Sequence, residues 1–214
     1  MPSADIRKVM TKATLRQIWV VSAGTAALVS GTLALTMHPV IPLYWHVPAA
    51  IMTYLGFGTC IVMNILRACG RPIRLFYPLL ACDTGLLFSA VTLASGMIWG
   101  RSAWGTAWVW EPRLTGMLLM TLIFASWRLS AAHIARHVTA ERVLTATLIL
   151  LAMPSLAFTH LATRLFGGIH PPAMPPDALA TGDACHAFVL TSLCYAATAL
   201  FWILLRVMRT TDAA

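Results

Sequence analysis

Six long apolar runs divide the chain, at residues 17–37, 46–66, 76–98, 114–133, 143–163 and 184–205. Each has the roughly 20 residues that an α-helix needs to cross a hydrocarbon layer. The segments between them are short and hold most of the basic residues. The pattern predicts an all-α, polytopic membrane protein: a bundle of six transmembrane helices, with no room for a second, water-soluble domain. The first run follows a basic start, Arg7, Lys8, Lys12 and Arg16. It is longer than the core of about 7–15 residues found in a cleavable signal peptide, so it is read as an uncleaved span.

Composition agrees. Of 214 residues, 59% are hydrophobic and 10% are charged, where a soluble domain carries about a quarter charged residues. That excludes an ordinary soluble enzyme, a disordered chain and a fibrous protein. The formal net charge of +8 does not point to nucleic acid, because the Lys and Arg residues form no single patch. They alternate in side: 12 fall on the N-terminus, the second and fourth loops and the tail, and only Arg101, Arg113 and Arg164 fall opposite. The positive-inside rule makes the first side cytoplasmic. The chain is therefore divided into a cytoplasmic N-terminus at 1–16, a six-helix domain at 17–206 and a cytoplasmic tail at 207–214. The segments 38–45, 99–113 and 164–183 face outward.

Little chemistry is visible on the cytoplasmic side. Cys60, Cys69, Cys82, Cys185 and Cys194 form no C-x-x-C pair and no C-x-x-C-H haem-attachment motif. The chain has no Walker A pattern, so it is not expected to hydrolyse ATP. No internal repeat of the transporter kind is present. The outward segment WGRSAWGTAWVWEPRLT, residues 99–115, is richer. Trp99, Trp104, Trp108 and Trp110 fall within it. If the segment is a short interfacial helix, Trp104, Trp108, Glu111 and Thr115 share one stripe, and Trp99 and Trp110 lie off it. Such a stripe suits a flat, apolar ligand with a polar edge. An aromatic belt at the membrane surface is the alternative.

WGTAWVWEPRLT resembles the tryptophan-rich WGxxWxWD signature of the haem-handling family of cytochrome c maturation, in its small six-span CcmC branch. Three further stretches are similar: YWHVPAA (Tyr44–Ala50), GLLFSAVTLASGMIWG (Gly85–Gly100) and LFGGIHPP (Leu165–Pro172). The resemblance covers roughly residues 40–205. It departs from the family at Glu111, where Asp is usual, at Pro112, where a small non-proline residue is usual, and in the last loop, which lacks an aromatic-Asn run before its histidine. Pro112 is expected to end the interfacial helix.

The resemblance implies a protein of the bacterial inner membrane, both termini inside, that binds haem b at the periplasmic face. His46 and His170 would hold the iron, because neutral imidazole is a common haem ligand. Trp104, Trp108 and Trp110 would lie along the macrocycle. Glu111 and Arg113 would stand at a polar rim, where Arg113 meets either a propionate or Glu111 itself. Haem would pass to a periplasmic chaperone of the CcmE type. Partners would be an ABC ATPase and a second permease of the CcmA and CcmB types, and a small membrane protein of the CcmD type.

Other polar residues are read as structural. His38 has no family counterpart, His186 lies near the outer end of the sixth run, His133 and His137 are read as solvated, and His160 is expected to make an intramembrane hydrogen bond. Asp83 lies inside a run, where a carboxylate is costly. It is expected to be neutral or to pair with Arg74 or a partner subunit. Other functions fit less well. A haem lyase acting on apocytochrome c needs a longer chain. A cytochrome b-type electron carrier needs facing histidines at membrane depth, where only His160 stands. A transporter or thiol-redox carrier needs a repeat or paired cysteines.

Overall fold

The computed structural model describes residues 45–134, 138–170 and 182–211. The N-terminal segment 1–16, the predicted span 17–37, His38 and His137 lie outside these residues. Five helices follow one another: α1 (Val47–Ala68), α2 (Phe76–Trp104), α3 (Pro112–Ile134), α4 (Val138–Phe166) and α5 (Gly182–Thr211). They coincide with the last five apolar runs. Four carry stretches long and apolar enough to cross a membrane, and the apolar stretch of α5 is Phe188–Leu204. Large apolar side chains such as Ile98, Leu129 and Leu150 stand exposed on the helix surfaces. That outward apolar face is what lipid, not water, accommodates; the chain is a membrane protein.

Local sequence sets the helix ends. Pro48 sits in the first turn of α1, where a missing N–H costs nothing. The other end closes as a Schellman motif. Gly70 takes φ +82, its N–H meets the Arg67 carbonyl at 3.0 Å, and the Arg71 N–H meets that of Leu66 at 3.0 Å.

Small residues let the helices approach. On α1, a Cβ added at Gly56 would lie 2.6 Å from the backbone nitrogen of Gly85 on α2. On α3, one added at Gly116 would lie 2.8 Å from Thr159 Oγ1 on α4. The α1–α2 and α3–α4 hairpins are thus closely packed backbones, the usual device where lipid supplies no hydrophobic drive between helices. Phe57 and Phe124 join the two hairpins, with ring centres 3.9 Å apart and planes 5° from parallel. Cys60, Cys82, Met120 and Trp127 are buried around them. Helix α5 docks through Tyr195 and Ala199 on Ala49 and Phe88.

At the basic end of the bundle, Asp83 corrects an expectation. It pairs with Arg128 on α3 and with Arg206 on α5, whose Nη2 atoms each lie 3.1 Å from Oδ2; Arg128 Nε donates to Oδ1. The partners come from within the chain, and Arg74 is not among those pairs. Nearby, Arg67 of α1 pairs with Glu141 of α4.

The tryptophan-rich segment is not a helix of its own. Trp99 and Trp104 are on the last turns of α2, which stops because Gly105 adopts φ +76. Residues 105–111 are non-helical. Pro112 does not end a helix; it opens α3 as the first helical residue. A proline there loses no hydrogen bond and has φ already set. The proposed stripe through Trp104, Trp108, Glu111 and Thr115 therefore does not form.

Candidate functional site

His46 precedes α1 and lies across α2. A Cβ added at Gly96 would sit 3.0 Å from its Cε1, so glycine is what admits the ring. His46 Nδ1 is 2.9 Å from the Thr92 carbonyl and 3.3 Å from Ser95 Oγ. A carbonyl only accepts, so Nδ1 carries the proton and donates. In the neutral ring Nε2 then keeps its lone pair, the tautomer a metal requires.

His170 reaches the same place from the loop after α4. Its ring centre is 6.5 Å from that of His46, with the planes 32° apart. Its Nδ1 lies 2.7 Å from Glu111 Oε1, a contact closer in distance than in alignment, since Nδ1 makes no well-directed hydrogen bond. A neutral His170 with Nδ1–H toward this carboxylate again leaves Nε2 as the base. Burial lowers the pKa of His170 below its ordinary value, against the pull of Glu111, which favours the charged form. The neutral ring is therefore the form present near pH 7.

Glu111 is buried, with 6% of its surface exposed. It is the residue before α3, and its Oε1 accepts the Leu114 N–H at 3.2 Å. This is an N-cap, and the helix dipole favours the negative charge there. The expectation of a rim position fails for Glu111: it lies under His170, not at an edge. The Gly167–Gly168 pair makes this possible. Both have positive φ, +72 and +151, and a Cβ on Gly168 would lie 2.3 Å from Glu111 Oε2.

The tryptophans divide into two pairs. Trp99 and Trp104 meet edge to face at 4.6 Å. Both flank His170, with ring centres 6.0 and 5.0 Å away. Trp108 instead meets Trp110 at 5.5 Å, and Trp110 is 75% exposed. Trp104, and Trp99, read as off the stripe, both lie beside His170. Trp108 Nε1, Glu111 Oε2 and Thr163 Oγ1 are buried with no hydrogen-bond partner among the described residues. Arg113, in the first turn of α3, extends Nη2 to 3.5 Å from the His160 carbonyl.

Sequence reading missed Thr92, Ser95, Gly96, Trp99, Thr163 and Gly168. Two local signals were available. Glu-Pro reads as an N-cap followed by a first-turn proline, and Gly-Gly before His170 reads as a forced turn.

The family described as heme exporter protein C matches residues 6–213. A putative cytochrome c biosynthesis ccmC-like mitochondrial protein of Marchantia polymorpha is 36% identical over 83 residues, 38% of this chain and 36% of that protein. Heme exporter protein C of Paracoccus denitrificans (strain Pd 1222) is 29% identical over 118 residues, 51% of this chain and 49% of that protein. The protein of that name from Escherichia coli (strain K12) is 33% identical over 86 residues, 38% of this chain and 34% of that protein. The chain thus spans between about a third and a half of the length of these relatives. With the match running over nearly its whole length, the chain belongs to the heme exporter protein C (CcmC) family.

Proposed function

We propose that this chain holds haem b between His46 and His170 at the outer face of the bacterial inner membrane and passes it on for cytochrome c maturation. The observation that carries the reading is the histidine pair. His46 donates from Nδ1 to Thr92 O, and His170 Nδ1 lies 2.7 Å from Glu111 Oε1, so both rings keep Nε2 for a metal in this reading. Two imidazoles on one iron place their ring centres about 6 Å apart, given a metal–nitrogen bond of about 2.0 Å on each side. The ring centres here are 6.5 Å apart. Trp99 and Trp104 supply apolar area. Trp108 Nε1 and Thr163 Oγ1, without partners among the described residues, together with the Arg113 guanidinium, supply donors for propionates. Trp110, being exposed, is the ring an arriving protein would meet.

The receiver in this reading is a periplasmic chaperone of the CcmE type, and the chain works beside CcmA-, CcmB- and CcmD-type subunits. The family description and the names of its relatives support this setting. The 12-to-3 basic asymmetry supports six spans with both termini inside. Reporter fusions after residue 105 should then read periplasmic, and those after residue 70 cytoplasmic; the reverse result would invert the protein.

The test of the haem reading is a visible absorption spectrum of the purified protein. The wild type should carry haem, or take it up when haem and a reductant are added. His46→Ala and His170→Ala should each lose most of it and shift the bands. Trp99→Ala should weaken binding at least as much as Trp108→Ala, because Trp99 flanks His170 while Trp108 packs on Trp110. A wild type that takes up no haem sinks the proposal.

A further inference from the structure

Between α1 and α4 lies a cavity of 450 Å³ that the haem reading does not use. Tyr54, Gly58 and Val62 of α1 form one wall, and Met153, Leu156 and His160 of α4 form the other. The walls are apolar except at one end. There the His160 ring stands edge-on to Tyr54, with centres 6.4 Å apart. His160 is six residues from the end of α4, about 9 Å along the axis, so this polar end faces the tryptophan-rich side of the bundle. His160 was expected to be tied into a hydrogen bond inside the membrane; it is instead exposed at this cavity.

Arg113 connects the cavity to the histidine site. Its guanidinium nitrogen Nη2 lies 3.5 Å from the His160 carbonyl, and the residue stands two positions after Glu111, whose Oε1 is 2.7 Å from His170 Nδ1. The cavity is within the range of about 300–1,000 Å³ typical of small-molecule sites. A phospholipid would fill the apolar part and bring a phosphate to the guanidinium, but it leaves the imidazole without a partner. A flat apolar body that carries both a metal and carboxylates uses all three features.

We propose that this cavity is a loading position for haem arriving from the membrane. The macrocycle lies between α1 and α4, the iron meets His160, and a propionate meets Arg113 before haem moves to His46 and His170. The inference rests on the haem reading above, and the experiment separates the two. Haemin is supplied in phosphatidylcholine vesicles to the full chain in lipid nanodiscs, and uptake is followed by absorbance.

Gly58→Leu is the first variant. A Cβ on Gly58 meets nothing within 4 Å, so the added side chain enters the cavity without clashing with the fold. Uptake should slow roughly tenfold, because the added side chain occupies the space haem must enter, while the final haem content stays at the wild-type level. His160→Ala is the second. In a His46→Ala, His170→Ala background, a weak residual haem band should remain, and adding His160→Ala should abolish it. The proposal is overturned if both variants load at the wild-type rate, or if no residual band depends on His160, while uptake still requires His46 and His170; the cavity then holds only lipid. If the wild type takes up no haemin, the haem reading itself falls.

Discussion

Replacing Glu111 by Ala is expected to empty the haem site as fully as replacing either histidine. The carboxylate does two things at once. It caps α3 through the Leu114 N–H, and it faces His170 Nδ1 at 2.7 Å. Losing a cap of this kind costs about 1 kcal/mol of helix stability. Losing the carboxylate behind a metal-ligating histidine costs about 10–100-fold in metal affinity, because the ring loses its fixed tautomer and orientation. The family's own residue separates these roles. Asp at 111 caps a helix at least as well as Glu, but its carboxylate is drawn back by about one carbon–carbon bond, 1.5 Å. Glu111→Asp should therefore fold as the wild type does, with the same thermal midpoint, and hold less haem. Glu111→Gln, which keeps length and an accepting oxygen, should fall between Asp and wild type. Haem per protein, measured beside a thermal melt, reads both effects. Full haem retention in Glu111→Asp would show that charge alone matters and that the contact with His170 carries no weight.

The five apolar runs that fall within the described residues became helices near their predicted bounds, and the reason is physical. A run such as 46–66 is decided by its own residues, since a segment surrounded by lipid must satisfy its backbone internally. What sequence reading could not reach were the pairings between distant segments. Asp83 with Arg128 and Arg206 joins three helices, and Glu111 with His170 joins a helix start to a later loop. No local pattern marks such partners. The error at the tryptophan segment was of another kind. A helical stripe through Gly105 overrides a standard stop, a glycine after a run of helix residues. Once the chain turns there, Trp104 stays with α2 and Trp108 leaves it. Glu111 is then buried at the start of α3, with Oε1 2.7 Å from His170 Nδ1.

Gly168→Ala is expected to lose haem although it alters no proposed ligand. The loop backbone passes so close to Glu111 that an added Cβ would lie 2.3 Å from Oε2. The same residue has φ +151, a conformation that side-chain-bearing residues rarely adopt. Either the carboxylate moves away or the loop does, and both separate Glu111 from His170. Gly167→Ala is the control. That position also has positive φ, +72, but a Cβ there meets nothing within 4 Å. Its cost should be the backbone strain alone, roughly 1–2 kcal/mol, with haem content preserved wherever the protein remains folded. The two mechanisms at Gly168 are told apart by a double-mutant cycle. If the clash with Glu111 is the cause, Gly168→Ala should cost little further haem in a Glu111→Ala background, because the carboxylate it displaces is already gone. Haem affinities of the wild type, both single variants and the double variant give the coupling directly. Fully additive losses would mean that Gly168 acts on the loop alone, and that the close approach to Glu111 is not what seats His170.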